Sequence, residues 1–413
     1  MSPVSASATS RPGTAATAAG SFSNVLEVKD LRTSFATEDG TVTAVDGISF
    51  TVARGEVLGI VGESGCGKSV TAESVMRLLD EDTTDYGGSV LFDGDTELLD
   101  LTEEKMRKYR GGRLGMIFQD PMSSLNPVYT VGNQLVEAIR THTDLSKKQA
   151  RDKAVGMLEL SGIPDPALRM RQYPHQLSGG QRQRVVIAMA LSCEPDLLIA
   201  DEPTTALDVT TQAQILELMA DLRASFNTGT MFITHDLGVV AEVCDRVIVM
   251  YLGQVIEDTD VHTLFDSPAH PYTRGLLAST PSLETDNSKD LPIISGAVPT
   301  LSNVPTGCRF AARCPFAIEE CTQAAPELRQ YQLDAVGTDG AGHRHLARCI
   351  RAEEIPALIA AEAGQAGIES RASPADQADH PTAPARATER PVSDAASAEV
   401  GRGSDGRAQE DSR

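Results

Sequence analysis

The 413-residue sequence predicts an α/β fold in which a largely parallel sheet carries helices on both faces. Three observations carry this expectation. Gly62–Ser69 (GESGCGKS) matches the phosphate-loop pattern G-x-x-x-x-G-K-[ST] at every fixed position. The apolar run Val57–Val61 leads into it and Ser69–Leu79 reads as a helix, giving the strand–loop–helix order that such a loop requires. Short apolar runs at Leu197–Ala200, Met231–Thr234 and Val247–Tyr251 read as buried parallel strands, with helices such as Thr211–Ala224 between them.

The remaining elements follow in order. Residues 1–23 are rich in Ser, Ala and Thr and are expected to be disordered. They lack the apolar stretch of a secretory signal. Val25 to Val61 alternates apolar and polar residues, as in Val25–Val28 and Ile48–Val52, and reads as sheet. Residues 120–190 carry a mostly helical pattern with Gly and Pro punctuation. Composition shifts near Thr259 to proline-spaced segments and a group of cysteines. From about Ala352 the chain becomes Ala/Glu/Pro/Ser/Asp/Arg-rich and cannot offset its ordering entropy by burial. The expected divisions are 1–23, 24–258, 259–351 and 352–413, the last an acidic disordered tail.

Bulk properties exclude several classes. A net charge of −22 argues against a nucleic-acid grip, which shows a basic patch. Seven cysteines, three of them scattered (Cys66, Cys193, Cys244), do not form a disulfide framework and fit a reducing cytoplasm. Val185–Leu191 is the longest apolar run, whereas a spanning helix needs about 20 residues. A membrane role would have to come through partners.

The loop chemistry is direct. Gly62, Gly65 and Gly67 let backbone N–H groups of the loop, including those of Ser64 and Cys66, turn toward phosphate oxygens, and the helix N-terminus adds its dipole. Lys68 is expected on the β- and γ-phosphates of ATP and the Ser69 hydroxyl on Mg²⁺. Asp201 closes an apolar strand, the position of a Mg²⁺-binding carboxylate. Glu202 follows it, placed to polarise an attacking water.

Leu177-Ser178-Gly179-Gly180-Gln181 resembles the signature motif of ATP-binding-cassette (ABC) ATPases. The resemblance implies a P-loop NTPase cassette: a RecA-like core, an antiparallel β subdomain and a helical signature subdomain near 120–190. It implies that Ser178, Gly180 and Gln181 contact nucleotide held by an opposite subunit. Gln119 resembles the Q-loop glutamine that senses Mg²⁺ and water. Ala206-Leu207-Asp208 resembles the D-loop, and His235 the switch histidine on the γ-phosphate. Phe35 is the candidate adenine-stacking aromatic, with a plain core phenylalanine as the alternative.

Phe118–Pro127, Tyr173–Gln176, Ile199–Gln214 and His270-Pro271-Tyr272-Thr273-Arg274 are similar to the oligopeptide/dipeptide importer branch, and the match covers roughly 25–350. It implies an ATPase at the cytoplasmic face of the cell membrane. The implied partners are a second ATPase (a non-identical paralogue first, an identical copy as the alternative), two permeases and an extracytoplasmic substrate-binding protein, with no nucleic acid. Peptide cargo is the first expectation; nickel chelates or oligosaccharides are the alternative. The charge and the absence of a second cassette argue against a soluble DNA-repair or translation ATPase. The C-terminal cysteine extension argues against an exporter. Two departures stand out: Gln181 where many members carry Met, and Ile256-Glu257-Asp258-Thr259 without the usual glycine.

Cys308, Cys314, Cys321 and Cys349 form the C-terminal group, and Gly307–Pro315 resembles the cysteine motif of the same importers. Four thiolates suit a [4Fe–4S] cluster or zinc, although the close C-x₂₋₄-C pairs of structural zinc are absent. Some of those importers hold a [4Fe–4S] cluster, so the resemblance implies one here, with zinc or four reduced cysteines holding no metal as the alternatives. His343 and His345 lie near Cys349 but are not needed for a four-cysteine set.

Overall fold

The computed structural model describes residues 23–280, 293–331 and 344–360, except Asp39 and Ala206. The expected disordered lead, save Ser23, and the tail from 361 lie outside the described residues, as do His343 and Ala206. The boundary expected at 352 falls inside ordered chain: Ala352 and Ile355 are buried, because a last turn packs them beneath the extension.

Among the described residues, twelve strands make two sheets. The first holds β1 (Asn24–Thr37), β2 (Gly40–Ala53), β4 (Thr84–Phe92) and β5 (Thr96–Glu97) in the order β2-β1-β4-β5, all antiparallel. The second holds β3 (Val57–Val61), β6 (Leu114–Ile117), β7 (Leu197–Asp201), β8 (Gly229–Ile233), β9 (Arg246–Tyr251), β10 (Gln254–Asp260), β11 (Arg329–Gln330) and β12 (Leu346–Ala347). Its order is β11-β12-β10-β9-β3-β8-β7-β6. From β9 to β6 every pair is parallel; β10, β12 and β11 add an antiparallel edge.

Side chains alternate across the central strands with period two, so each apolar run feeds two cores. Val57, Val61, Leu198, Ala200, Val247 and Val249 face a core shared with the helices. Leu58, Ile60, Leu197, Ile199, Ile248 and Met250 face the antiparallel sheet and its Val28, Leu31, Phe50 and Val90. That double burial is why the strands read as unbroken apolar runs.

The helix after the phosphate loop runs from Lys68 to Met76, shorter than the sequence pattern indicates. Arg77 takes a left-handed conformation there and donates its N–H to the carbonyls of Glu73 and Ser74, ending the helix. In the helical region, Thr130 caps Val131–His142, and Ser146 with Gln149 forms a capping box on Lys147–Leu160. Leu135, Ile139, Ala154, Leu158 and Val185 close this layer onto the first core.

The boundary expected at 258–259 also needs correcting, since it cuts β10. Leu252 and Gly253, both at positive φ, turn β9 directly into β10. Glu257, fully buried, is the hub beyond that turn. It accepts from the N–H groups of Ala269 (2.7 Å) and His270 (2.9 Å) and from Thr273 Oγ1 (2.6 Å). His345 Nε2 stands 2.8 Å from it, which ties β12 into the same node. The unusual stretch at 256–259 is thus the strand that holds the extension to the cassette.

Candidate nucleotide site at the strand ends

The phosphate loop leaves β3 and closes on the N-terminus of Lys68–Met76. Gly62 has a φ of +153°, and a Cβ there would stand 2.3 Å from the Met250 carbonyl oxygen. At Gly67 (φ +103°) a Cβ would stand 2.7 Å from the Ala44 carbonyl oxygen. Neither position admits a side chain, so the backbone can turn its N–H groups inward. Lys68 is 6% exposed, and its ammonium donates to the carbonyls of Gly62 (2.9 Å) and Glu63 (3.2 Å). These bonds hold the lysine across the mouth of the loop.

Asp201 ends β7 at 5% exposure beside Ser69. Burial pushes its carboxyl up, Ser69 opposes this, and the charge of Glu202 adds to the rise. Asp201 Oδ1 is buried without a hydrogen-bond partner among the described residues. An orphaned carboxylate oxygen beside a serine hydroxyl is a donor set that suits a hard cation such as Mg²⁺.

Glu202 gathers three other elements. Gln119, just after β6, donates its amide to Glu202 Oε2 at 3.1 Å. Thr205 Oγ1 donates to the same oxygen at 2.8 Å. His235 Nδ1, just after β8, stands 3.2 Å from Oε1. Burial pushes the Glu202 carboxyl up, but the bonds from Thr205 and His235 outweigh it and hold the group below the usual carboxylate range. Glu202 sits at a positive φ of 48°, a strained conformation for a non-glycine residue. The parallel order β8-β7-β6 brings Gln119, Glu202 and His235 to one edge of the sheet. Thr205 was missed from the sequence; its place three residues after the acid was the available signal.

The signature residues stand apart from this cluster. Ser178 caps the helix Gly179–Leu191, and Gln181 completes the box: Gln181 N–H donates to Ser178 Oγ (3.3 Å) and Ser178 N–H to Gln181 Oε1 (3.1 Å). The Ser178 O–H remains available as a donor. A Cβ on Gly180 would meet Thr211 at 2.7 Å, whereas Gly179 faces open space. Asp208 caps the next helix, Val209–Phe226, and both its oxygens are engaged by Thr211. Phe35 lies half-buried on β1, paired with Val42 and Thr84.

Relatives decide the family. Residues 45–205 match the ABC transporter family, and 256–321 match the oligopeptide/dipeptide transporter C-terminal region. A probable peptide ABC transporter ATP-binding protein of Sinorhizobium fredii is 52% identical, over 80% of this chain and 96% of its own length. The dipeptide transport ATP-binding protein DppD of Bacillus subtilis is 54% identical, over 73% of this chain and 90% of its own. The chain belongs to the oligopeptide/dipeptide family of ABC transporter ATP-binding proteins. Such a protein is an ATPase that binds ATP with Mg²⁺, and no described helix is long and apolar enough to cross a membrane. The solved dimeric cassette MJ0796, bound to ADP and phosphate, is 27% identical with a TM-score of 0.51. The match covers 57% of this chain and 98% of that one.

The chain beyond β10 brings Cys308, Cys314 and Cys321, within the matched C-terminal region, and Cys349, beyond it, around one cavity with Pro271, Phe310 and Phe316. All four are free thiols. Burial pushes Cys314 up to about 11 and Cys349 up to about 12. Among the described residues no group of three or more His, Cys, Asp or Glu side chains is arranged to hold a single metal ion.

Proposed function

We propose that this chain hydrolyses ATP to drive import of di- and oligopeptides, working at the cytoplasmic face of a membrane beneath two permease subunits. A substrate-binding protein would deliver the cargo. The observation that carries the hydrolytic role is the Glu202 carboxylate. It is kept ionised by Thr205 and His235 and held by Gln119 beside the loop and the Ser69–Asp201 pair. The peptide cargo rests on the names of the relatives. In this reading the cassette runs through β10 and the extension follows it, past Ala352 and Ile355.

Each residue has a chemical task. Loop N–H groups and Lys68 bind the β- and γ-phosphates. Ser69 and Asp201 hold Mg²⁺, which when bound neutralises charge on the phosphate oxygens. Glu202 accepts a proton from the attacking water, Gln119 orients that carboxylate, and His235 stabilises the γ-phosphate charge. Phe35 stacks on adenine. Ser178, with the N–H groups of Gly180 and Gln181, meets nucleotide held by a second, non-identical cassette. Asp208 shapes the facing loop by capping its helix.

A second reading concerns the cysteines. Four cysteine thiols are the donor set that a [4Fe–4S] cluster takes, and the reading rests on that set and on the resemblance to the importers. Bound there, the cluster would staple a small extension. Anaerobic purification without iron or sulfide would remove it.

Glu202→Gln tests the main reading. ATP binding should persist while hydrolysis falls on the order of 10²–10⁴-fold. In cells, Lys68→Ala should fail to restore uptake of labelled peptides that the wild type restores. Uptake unaffected by loss of the chain, with no duplicate system present, would move the cargo to nickel chelates or oligosaccharides.

A further inference from the structure

The cysteine-bearing extension reaches the phosphate loop directly. Glu63, the second residue of the loop, is held at every polar group. Its N–H donates to Tyr272 Oη at 2.8 Å, and its carbonyl accepts from Lys68. Its two carboxylate oxygens accept from Arg313 Nη1 at 2.7 Å and Nη2 at 3.0 Å. Two of these three anchors, Tyr272 and Arg313, come from beyond β10.

Arg313 is built for this contact. Its side chain is 5% exposed. Nε donates to the Ser295 carbonyl at 3.1 Å, and Nη2 also reaches the Ile294 carbonyl. The guanidinium lies 5.9 Å from the ring centres of both Tyr251 and Phe310. A planar, caged fork facing a carboxylate is a directional clamp. A second arginine of the same segment makes an indirect contact. Arg309 donates to the Leu252 carbonyl and pairs with Asp46, and the adjoining Gly253 N–H donates to the Cys66 carbonyl at 2.9 Å. Both arginines lie within Cys308–Cys314.

We propose that Arg313 is a positioning residue of the nucleotide site, through which the extension sets its affinity for ATP. The proposal rests on Gly62–Ser69 being the ATP site. Two effects act together. The clamp fixes the loop before nucleotide arrives, so less ordering is lost on binding. It also neutralises a carboxylate that would otherwise repel the incoming triphosphate.

The test uses the full chain, a fluorescent ATP analogue displaced by ATP, and steady-state hydrolysis. Arg313→Met should raise the Kd and KM for ATP about five- to tenfold, with kcat within about twofold. Arg313→Lys keeps the charge but not the fork; it should raise them about threefold and speed amide exchange across residues 62–69. Adding Glu63→Gln to Arg313→Met removes the unpaired carboxylate and should recover most of the lost affinity, which a merely structural role for Arg313 would not allow. An unchanged Kd in a folded Arg313→Met, or a double variant binding no better than the single one, overturns the proposal. If Arg313→Met does not fold, unchanged Kd and amide exchange in Arg313→Lys overturn it instead. Lys68→Ala is the separate control: ATP binding as tight as in the wild type would discard the site itself, and the proposal with it.

Discussion

Gln119 and Glu202 are 83 residues apart in sequence, yet the amide of one donates to the carboxylate of the other at 3.1 Å. The bond spans the ends of β6 and β7, two neighbouring parallel strands. A loop that leaves the sheet toward the helical region is thereby fastened to the acid proposed to handle water. Motion of that region has a direct path to the chemistry.

Gln119→Ala should therefore impair hydrolysis more than binding. A hydrogen bond to a charged group is worth about 1.5–3 kcal/mol, so kcat should fall on the order of tenfold or more. The KM for ATP should stay within about threefold. Phosphate release at saturating ATP checks it; an unchanged kcat would show that Glu202 keeps its orientation without Gln119.

The pH dependence follows from the same carboxylate. Burial acts to raise its pKa, and the bonds from Thr205 and His235 carry it below the ordinary range. Glu202 thus stays ionised above the usual glutamate value of about 4.3 and loses its charge only as pH falls through a lower one. Its contribution to folding stability is likewise held above that range and lost on acidification. Thr205→Val leaves burial less opposed, so the acid limb of the kcat profile should move to higher pH. Rate profiles carried down to about pH 3.5 on both proteins, below the usual glutamate value, decide it, and an acid limb that does not move would exclude Thr205 as the controlling group.

Much of the site is legible in the sequence because it is local. Lys68 and Ser69 follow their glycines, and Asp201 and Glu202 follow their apolar run. What joins these segments is not local. Gln119 and His235 meet Glu202 only because β6, β7 and β8 lie side by side, and strand order is not written in any one segment. Glu257 was passed over for the same reason: its partners come from residues 269–273 and from His345. The boundaries at 258 and 352 failed because composition shifts there while the packing continues through β10 and Ile355.

Gln181, the departure in the signature motif, has a structural task. It returns a hydrogen bond to the Ser178 N–H, which a methionine sulfur cannot match. Gln181→Met should cost about 0.5–1 kcal/mol in urea denaturation and leave the Ser178 hydroxyl cap in place. A stability equal to the wild type would mean that water satisfies the freed N–H.

Cys66 should be inert despite its place in the loop. It is 2% exposed, and burial raises its thiol pKa more than the Lys68 charge lowers it. Iodoacetamide at pH 8 should leave it unmodified in the native chain and label it after denaturation. Rapid native labelling at Cys66 with loss of ATP binding would show that the loop opens far more readily than this packing allows.

Four charges on four separate segments close into a ring that no motif announces. Arg54 donates to Asp93 and Asp196, each at 2.6 Å. Arg113 donates to the same two carboxylates at 2.6 and 2.7 Å, and its guanidinium lies 4.7 Å from the ring centre of Phe92. The ring joins the β2–β3 turn, the end of β4 and the starts of β6 and β7, so it fastens the antiparallel sheet to the parallel one. Both carboxyls of an isolated pair this exposed would contribute little, but each here serves two arginines. Asp196→Asn keeps one acceptor for Arg54 and turns an NH₂ group toward Arg113 Nε, donor against donor. The variant should lose about 1–2 kcal/mol of stability. That deficit should shrink in 1 M salt, where charge pairing counts for less in the wild type as well. Urea denaturation at low and high salt measures both, and a deficit that does not change with salt would assign the ring a packing role instead of an electrostatic one.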